Sequence, residues 1–271
     1  MKFILFTLIC IFFANGSLFA DIGQIEKMKG IVKIKHKNSF KKRRVKVKSS
    51  IKKGDIISTS KDSYTSLHLN DGSKIVLGES SIIHFIATNE ISQNNGKIFY
   101  KIVHRNKKNI LKIKTPFAII GIKGTTFIVN ADKKNNSVAL QEGLIGIGSI
   151  KGEFLLYTKE ILASYNRYID KQLEDFKKYQ KIKGLKPEKT KKFDLKANNI
   201  VSFSNNIVQE SSLSSREKAS FENFERFLHS GKVVSQSRDK EKTLEEELDD
   251  LKGPSRAKDP ARAMKESMNF D

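Results

Sequence analysis

The chain has 271 residues, with 51 Lys+Arg against 30 Asp+Glu, one Cys, four Pro and no Trp, for a formal net charge of +21. That length allows one or two domains with one substantial core. A single Cys excludes a disulfide-built scaffold, 18 Phe argue against a wholly disordered chain, and the only long apolar run lies at the N-terminus, which excludes a polytopic membrane protein.

Lys2 precedes the apolar run Phe3–Phe13, and Ala14-Asn15-Gly16-Ser17 then leads to Leu18-Phe19-Ala20. A positive end, an apolar middle and a small residue at the cut make residues 1–20 a predicted secretory signal, cleaved after Ala20. The expected location of the mature chain is the periplasm or the exterior. The alternative is an uncleaved segment that anchors the chain to the inner membrane. Cleavage would remove Cys10 and leave no thiol for a nucleophile or a metal site.

From Ile22 to Gly152 glycine is the punctuation: 12 of the 16 Gly fall there, with Pro116 the only Pro. Between them lie short β-type runs, among them Gly30–Ile34, Asp55–Thr59, Thr65–Leu69, Lys74–Leu77, Ile82–Ile86, Lys97–Tyr100, Leu111–Ile113, Thr126–Val129, Ser137–Leu140 and Leu144–Ile147. Ten short strands without a helical period predict an all-β domain over 21–152. Asn70-Asp71-Gly72-Ser73 is its clearest hairpin signal.

The charge excess belongs to the same half. Residues 21–153 carry 26 Lys+Arg and 10 Asp+Glu, most densely over Lys27–Lys53. Ile31–Lys35 and Val45–Lys48 alternate, so a strand would set its lysines on one face. Lys33, Lys35, Lys41, Lys42, Arg43, Arg44, Lys46 and Lys48 form a candidate basic face for an anionic lipid or cell-envelope polymer, against the plainer reading of a solvated surface. Nucleic acid is not an expected partner, because an exported chain rarely meets it and no recognition-helix or RNA-binding signature is present.

Residues 153–230 read as a helix-rich extension with one or two strands. The three-to-four spacing of Ile161, Leu162, Tyr165, Tyr168, Ile169, Phe176 and Tyr179 predicts a long amphipathic helix over about 155–183. Phe193-Asp194-Leu195 and Ile200–Phe203 read as strands. Phe221, Phe224, Phe227 and Leu228 read as a short helix opened by Ser214 or Ser215. Residues 231–271 are polar, acidic from Leu244 to Leu251, and read as a disordered tail.

No active site emerges. His36, His68, His84, His104 and His229 form no metal spacing and no catalytic arrangement. Gly121-x-x-Gly124 lacks the third glycine and the following helix of a nucleotide loop, and Leu144, Ile145 and Ile147 between Gly143, Gly146 and Gly148 read as strand. An envelope hydrolase would need a paired acid and base drawn from Asp55, Asp71, Glu79 or Glu142. The expectation is therefore a non-enzyme with no cofactor and no metal.

One stretch is specific. Thr115-Pro116-Phe117-Ala118-Ile119-Ile120-Gly121-Ile122-Lys123-Gly124-Thr125-Thr126-Phe127 resembles the signature of the FecR domain family, with Lys123 where Arg is usual. Gly30-Ile31-Val32, Gly54-Asp55-Ile56-Ile57-Ser58-Thr59, Leu67–Ser73, Gly96 and Glu142-Gly143 fall in the order that family uses, so the resemblance spans roughly Gly23–Ser149. It implies a twisted β-solenoid or two-layer β-structure. It also implies a periplasmic binding, sensing or scaffolding module, with an envelope protein as partner and a link to signalling. A transmembrane regulator of a sigma factor in iron-uptake signalling is the further role the family suggests. Read physically, Thr115, Pro116, Gly121, Lys123, Gly124, Thr125 and Phe127 suit architecture: an extended residue before Pro, and glycines where backbones turn or approach closely.

Overall fold

The computed structural model describes residues 21–103, 110–132, 135–162 and 187–230. All lie in the first of two units, 1–233, and the second unit, 234–271, falls outside the described residues. The predicted signal (1–20), most of the predicted long helix (163–183) and the predicted disordered tail (231–271) also fall outside them.

Nineteen strands are described: β1 (Asp21–Lys29), β2 (Val32–Lys35), β3 (Arg43–Arg44), β4 (Ser50–Lys52), β5 (Ile56–Thr59), β6 (Tyr64–Leu69), β7 (Lys74–Leu77), β8 (Ile82–Ala87), β9 (Glu90–Ile102), β10 (Leu111–Lys114), β11 (Ile119–Ile122), β12 (Thr125–Ala131), β13 (Asn136–Glu142), β14 (Leu144–Gly148), β15 (Phe154–Tyr157), β16 (Glu188–Thr190), β17 (Lys192–Lys196), β18 (Asn199–Ser204) and β19 (Ile207–Ser212). One helix, α1 (Ser215–His229), follows them, and a further helical turn opens at Lys159.

The strands form two layers that share β9. The first sheet runs β4-β1-β6-β7-β9-β12-β13-β18-β19-β15-β16. The second runs β3-β2-β5-β8-β9-β10-β11-β14-β17. The first half of β9 pairs with β8 and β10, and its second half with β7 and β12, so one strand stitches the layers together. Alternation decides which side chains meet between them: Ile25, Leu67 and Ile75 of the first sheet pack in one apolar cluster with Val32, Ile57, Ile83, Phe85 and Ile120 of the second. Each fully buried Ile or Leu in that layer contributes roughly 1.5–3 kcal/mol.

The outer face of the first sheet is covered as well. Helix α1 lays Phe221, Phe224 and Leu228 on Val76, Phe99, Ile128 and Ala139. Phe99 stacks with Phe224 at 5.7 Å and meets Phe221 edge-on at 6.2 Å. A helix outside and a second sheet inside explain why β7, the second half of β9 and β12 read as nearly continuous apolar runs rather than strict alternation. Ser214 caps the helix: its hydroxyl accepts from the Glu217 amide at 3.4 Å, and Glu217 accepts from the Ser214 amide at 3.0 Å.

The two-layer, mainly β fold holds, while several elements differ from expectation. Residues 155–157 belong to strand β15 rather than to a helix, because Phe154 and Leu156 are buried and Leu155 pairs with Ile207 of β19. Five strands, not one or two, follow residue 153. In the polar strand β19 only Val208 is buried, which leaves no period to read. Val45–Lys48 alternates yet forms a turn: Lys48 takes φ 68°, its amide donates to the Ile25 carbonyl at 2.7 Å, and Lys46 and Ser49 close on each other.

Candidate functional site

The Thr115–Phe127 stretch divides into a turn, a central strand and a core residue. The Thr115 hydroxyl donates to the Ala118 carbonyl at 2.9 Å and accepts from the Ala118 amide at 2.9 Å, closing the β10–β11 hairpin with Pro116 exposed at its tip. Gly121 lies mid-strand in β11, opposite Lys112 on one side and Gly146 on the other. A Cβ there would come no nearer than 3.8 Å to its neighbours, so close approach does not require this glycine. That corrects the sequence-based reason for it. Gly143 does require its lack of a side chain: at φ 94° a Cβ would fall 2.6 Å from the Thr125 methyl and 2.8 Å from the Gly124 carbonyl. The Glu142-Gly143 turn therefore locks onto Gly124-Thr125.

Lys123 is exposed at the β11–β12 turn, and Thr125 is buried with its hydroxyl lacking a hydrogen-bond partner among the described residues. Phe127 stacks on Tyr100 with centroids 4.9 Å apart and planes 8° from parallel, both rings fully buried. The Tyr100 hydroxyl donates to the Gln93 side-chain carbonyl at 2.9 Å, and Gln93 donates onward to the carbonyls of Gly96 and Val129. Burial pushes the Tyr100 phenol well above its ordinary range. These contacts are those of a scaffold.

The four carboxylates weighed for acid–base chemistry are engaged separately. Asp71 accepts from the Ser73 amide, Glu79 from the Asp62 amide, and Glu142 from the Thr126 hydroxyl. Asp55, 1% exposed, accepts from the Lys52 amide at 2.8 Å and faces His36 Nδ1 at 2.9 Å.

That last contact positions the basic residues. At Gly54, with φ 89°, a Cβ would collide with the Lys37 side chain at 2.7 Å. Gly54-Asp55 thus holds the start of the loop between β2 and β3, at the tip end of their hairpin. In it Val32 and Ile34 point inward, Lys33 is exposed, and Lys33 lies directly opposite Arg44. Lys41, Lys42, Arg43, Arg44, Lys46 and Lys48 are all exposed around it, and Lys35 is half-buried. The ion pairs among the described residues join His36–Asp55, Lys74–Glu26, Lys101–Glu225, Lys114–Glu90 and His229–Glu225, so none of these eight cations has a carboxylate partner there.

Lys27 and Lys29, the start of the densest basic stretch, sit elsewhere. Lys27 Nζ donates to the carbonyls of Leu228 and Ser230 at the C-terminus of α1, and Lys29 lies 6.0 Å over the Tyr64 ring. Sequence reasoning missed Phe40, which stands fully exposed at the hairpin tip. The available signal was an aromatic alone among Ser39 and Lys41–Arg44, outside any alternating run.

Residues 55–146 match the family described as FecR protein. The chain carries a FecR domain. The match begins at Asp55, so β1–β4 and the Gly30–Val32 motif lie before the matched part of the FecR domain, while Thr115–Phe127 and Glu142-Gly143 lie inside it. Two crystal structures of a candidate anti-sigma factor from Parabacteroides distasonis are similar, each at 12% identity over 61% of this chain and 63% of that one, with TM-scores of 0.42 and 0.41. This chain therefore spans less than two thirds of those proteins. A cell surface anchoring domain is similar at 28% identity over 24% of this chain and 84% of that one, with a TM-score of 0.23. No curated protein sequence matches the chain.

Proposed function

We propose that this is an exported, non-catalytic FecR-domain protein that works by binding, as a sensing or scaffolding module in cell-envelope signalling. The match over residues 55–146 is the observation that supports the reading. Export rests on the order of charge, apolar run and small residues in 1–20. The partner is an envelope protein that adds a strand to β17. Among the described strands β17 pairs on one side only, with β14, and its exposed residues Lys192, Asp194 and Lys196 alternate with Phe193 and Leu195. The opposite edge of the same sheet ends in Arg43-Arg44, a charged edge that resists strand pairing.

Photocrosslinking in intact cells tests this, with the crosslinker at Asp194 or, in a second strain, at Pro116. Discrete capture of one envelope protein from Asp194, surviving a high-salt wash, is expected. Equal capture from both positions, or none from Asp194, would sink the docking mode. Capture of a cytoplasmic sigma factor would overturn the exported location in favour of a transmembrane regulator.

A further inference from the structure

The basic hairpin carries a combination that neither edge protection nor solvation explains. Edge protection accounts for Arg43 and Arg44, because charge on an edge strand discourages pairing with other chains. It does not account for Phe40, which is 100% exposed at the tip of that same hairpin. Nor is the tip slack. The Ser39 amide donates to the His36 carbonyl at 3.0 Å, and the Ser39 hydroxyl accepts from the Lys41 amide at 3.2 Å and donates to its carbonyl at 3.1 Å. Phe40 is therefore presented by an ordered turn whose base is held by His36, Asp55 and Gly54.

Among the described residues the cations around it have no carboxylate partner, and their arrangement carries a cost. Lys33 and Arg44 are direct cross-strand neighbours, and like charges in that position destabilise a sheet. Ile31 at 37% and Val47 at 45% add exposed apolar surface at the other end of the hairpin. An exposed aromatic ringed by cations suits the boundary between lipid headgroups and acyl chains, where the ring is buried and the charges meet anionic phosphates. A soluble polyanion would satisfy the cations and leave Phe40 in water.

We propose that the hairpin from Val32 to Arg44, with the turn after it, docks the protein on an anionic phospholipid bilayer, Phe40 entering the headgroup–acyl boundary. The surface precedes residues 55–146 and is independent of the proposed strand docking at β17.

The chain has no Trp, so Phe40→Trp makes one local reporter that binding through Phe3–Phe13 does not imitate. The full-length variant is titrated with vesicles of phosphatidylcholine alone or mixed with phosphatidylglycerol. A blue shift of Trp emission with the mixed vesicles only is expected. Reversing two charges, Arg43→Glu and Arg44→Glu, in the same background should weaken the titration at least about 25-fold, from about fivefold per cation. Raising salt from about 50 to about 500 mM, which shortens the screening length from roughly 14 Å to about 4 Å, should weaken it further. No shift with mixed vesicles, an equal shift with phosphatidylcholine alone, or an equal shift with soluble polyphosphate would each overturn the proposal. Both substituted regions are exposed, so the fold should survive, as circular dichroism would check.

Discussion

The outer face of the first sheet and the outer edge of the second are both rich in lysine, and they use it in opposite ways. On the covered face each lysine has work inside the protein. Lys27 caps the carbonyl end of α1, Lys101 pairs with Glu225 at 2.9 Å, and Lys97 donates to the Ser220 hydroxyl at 2.7 Å. Burial, and then the nearby Arg216, hold the Lys97 amine below its ordinary pKa. At the hairpin edge the cations have no carboxylate partner among the described residues, and the aromatic nearest to them faces water. Phenylalanines show the same split: Phe99, Phe221 and Phe224 join the helix to the sheet, while Phe40 stands fully exposed. Charge and apolar residues together close one surface, and among the described residues they leave the other exposed.

The largest expected effect separates these two uses of Phe. Phe99→Ala should cost about 3–5 kcal/mol in urea unfolding, since it removes the ring on which both helix aromatics rest. Phe40→Ala should change stability by no more than about 0.5 kcal/mol. A large loss from Phe40→Ala would end the distinction. Next, Asp55→Ala should cost about 1–3 kcal/mol, leaving the Lys52 amide and His36 without their acceptor. Combined with the Phe40→Trp reporter it should also loosen vesicle binding, tying the Gly54-Asp55 motif to the hairpin it seats.

A smaller effect sharpens the helix side. Ser214→Ala should cost about 1 kcal/mol as a lost cap. The Ser214 hydrogen bond also holds the Glu217 carboxyl below its ordinary 4.5. A carboxyl depressed in the folded state adds stability that is fully present above its unfolded value and lost as pH falls through its folded one. The helix signal in circular dichroism should therefore weaken as pH falls below about 4.5, and Glu217→Gln should flatten that dependence. The smallest change has the opposite sign: Arg44→Glu should stabilise the chain by about 0.2–1 kcal/mol at low salt, turning a repulsive cross-strand pair with Lys33 into an attractive one.

The framework was legible where side-chain period and secondary structure agree. The runs around Ile57, Leu67, Ile75 and Ile83 became strands, and Phe221, Phe224 and Leu228 became the buried stripe of α1. It was illegible where the backbone departs from the period. β1 went unread because its register slips between Ile25 and Lys27, and the first half of β9 because Ser92–Gly96 reads as a polar turn. Gln93 shows why that half is nonetheless a strand: it is fully buried, with its amide hydrogen-bonded to the Gly96 and Val129 carbonyls. The basic residues were visible as composition, but which remain free was not. That depends on α1, some 200 residues away in sequence, reaching Lys27 and not the hairpin.

Hydrogen exchange of the full chain with and without phosphatidylglycerol-containing vesicles tests the division most directly. The division predicts that amides of residues 36–44 slow when vesicles are added, while those of α1 are already slow and stay unchanged. Protection that appears in α1 and leaves the hairpin unaffected would contradict it.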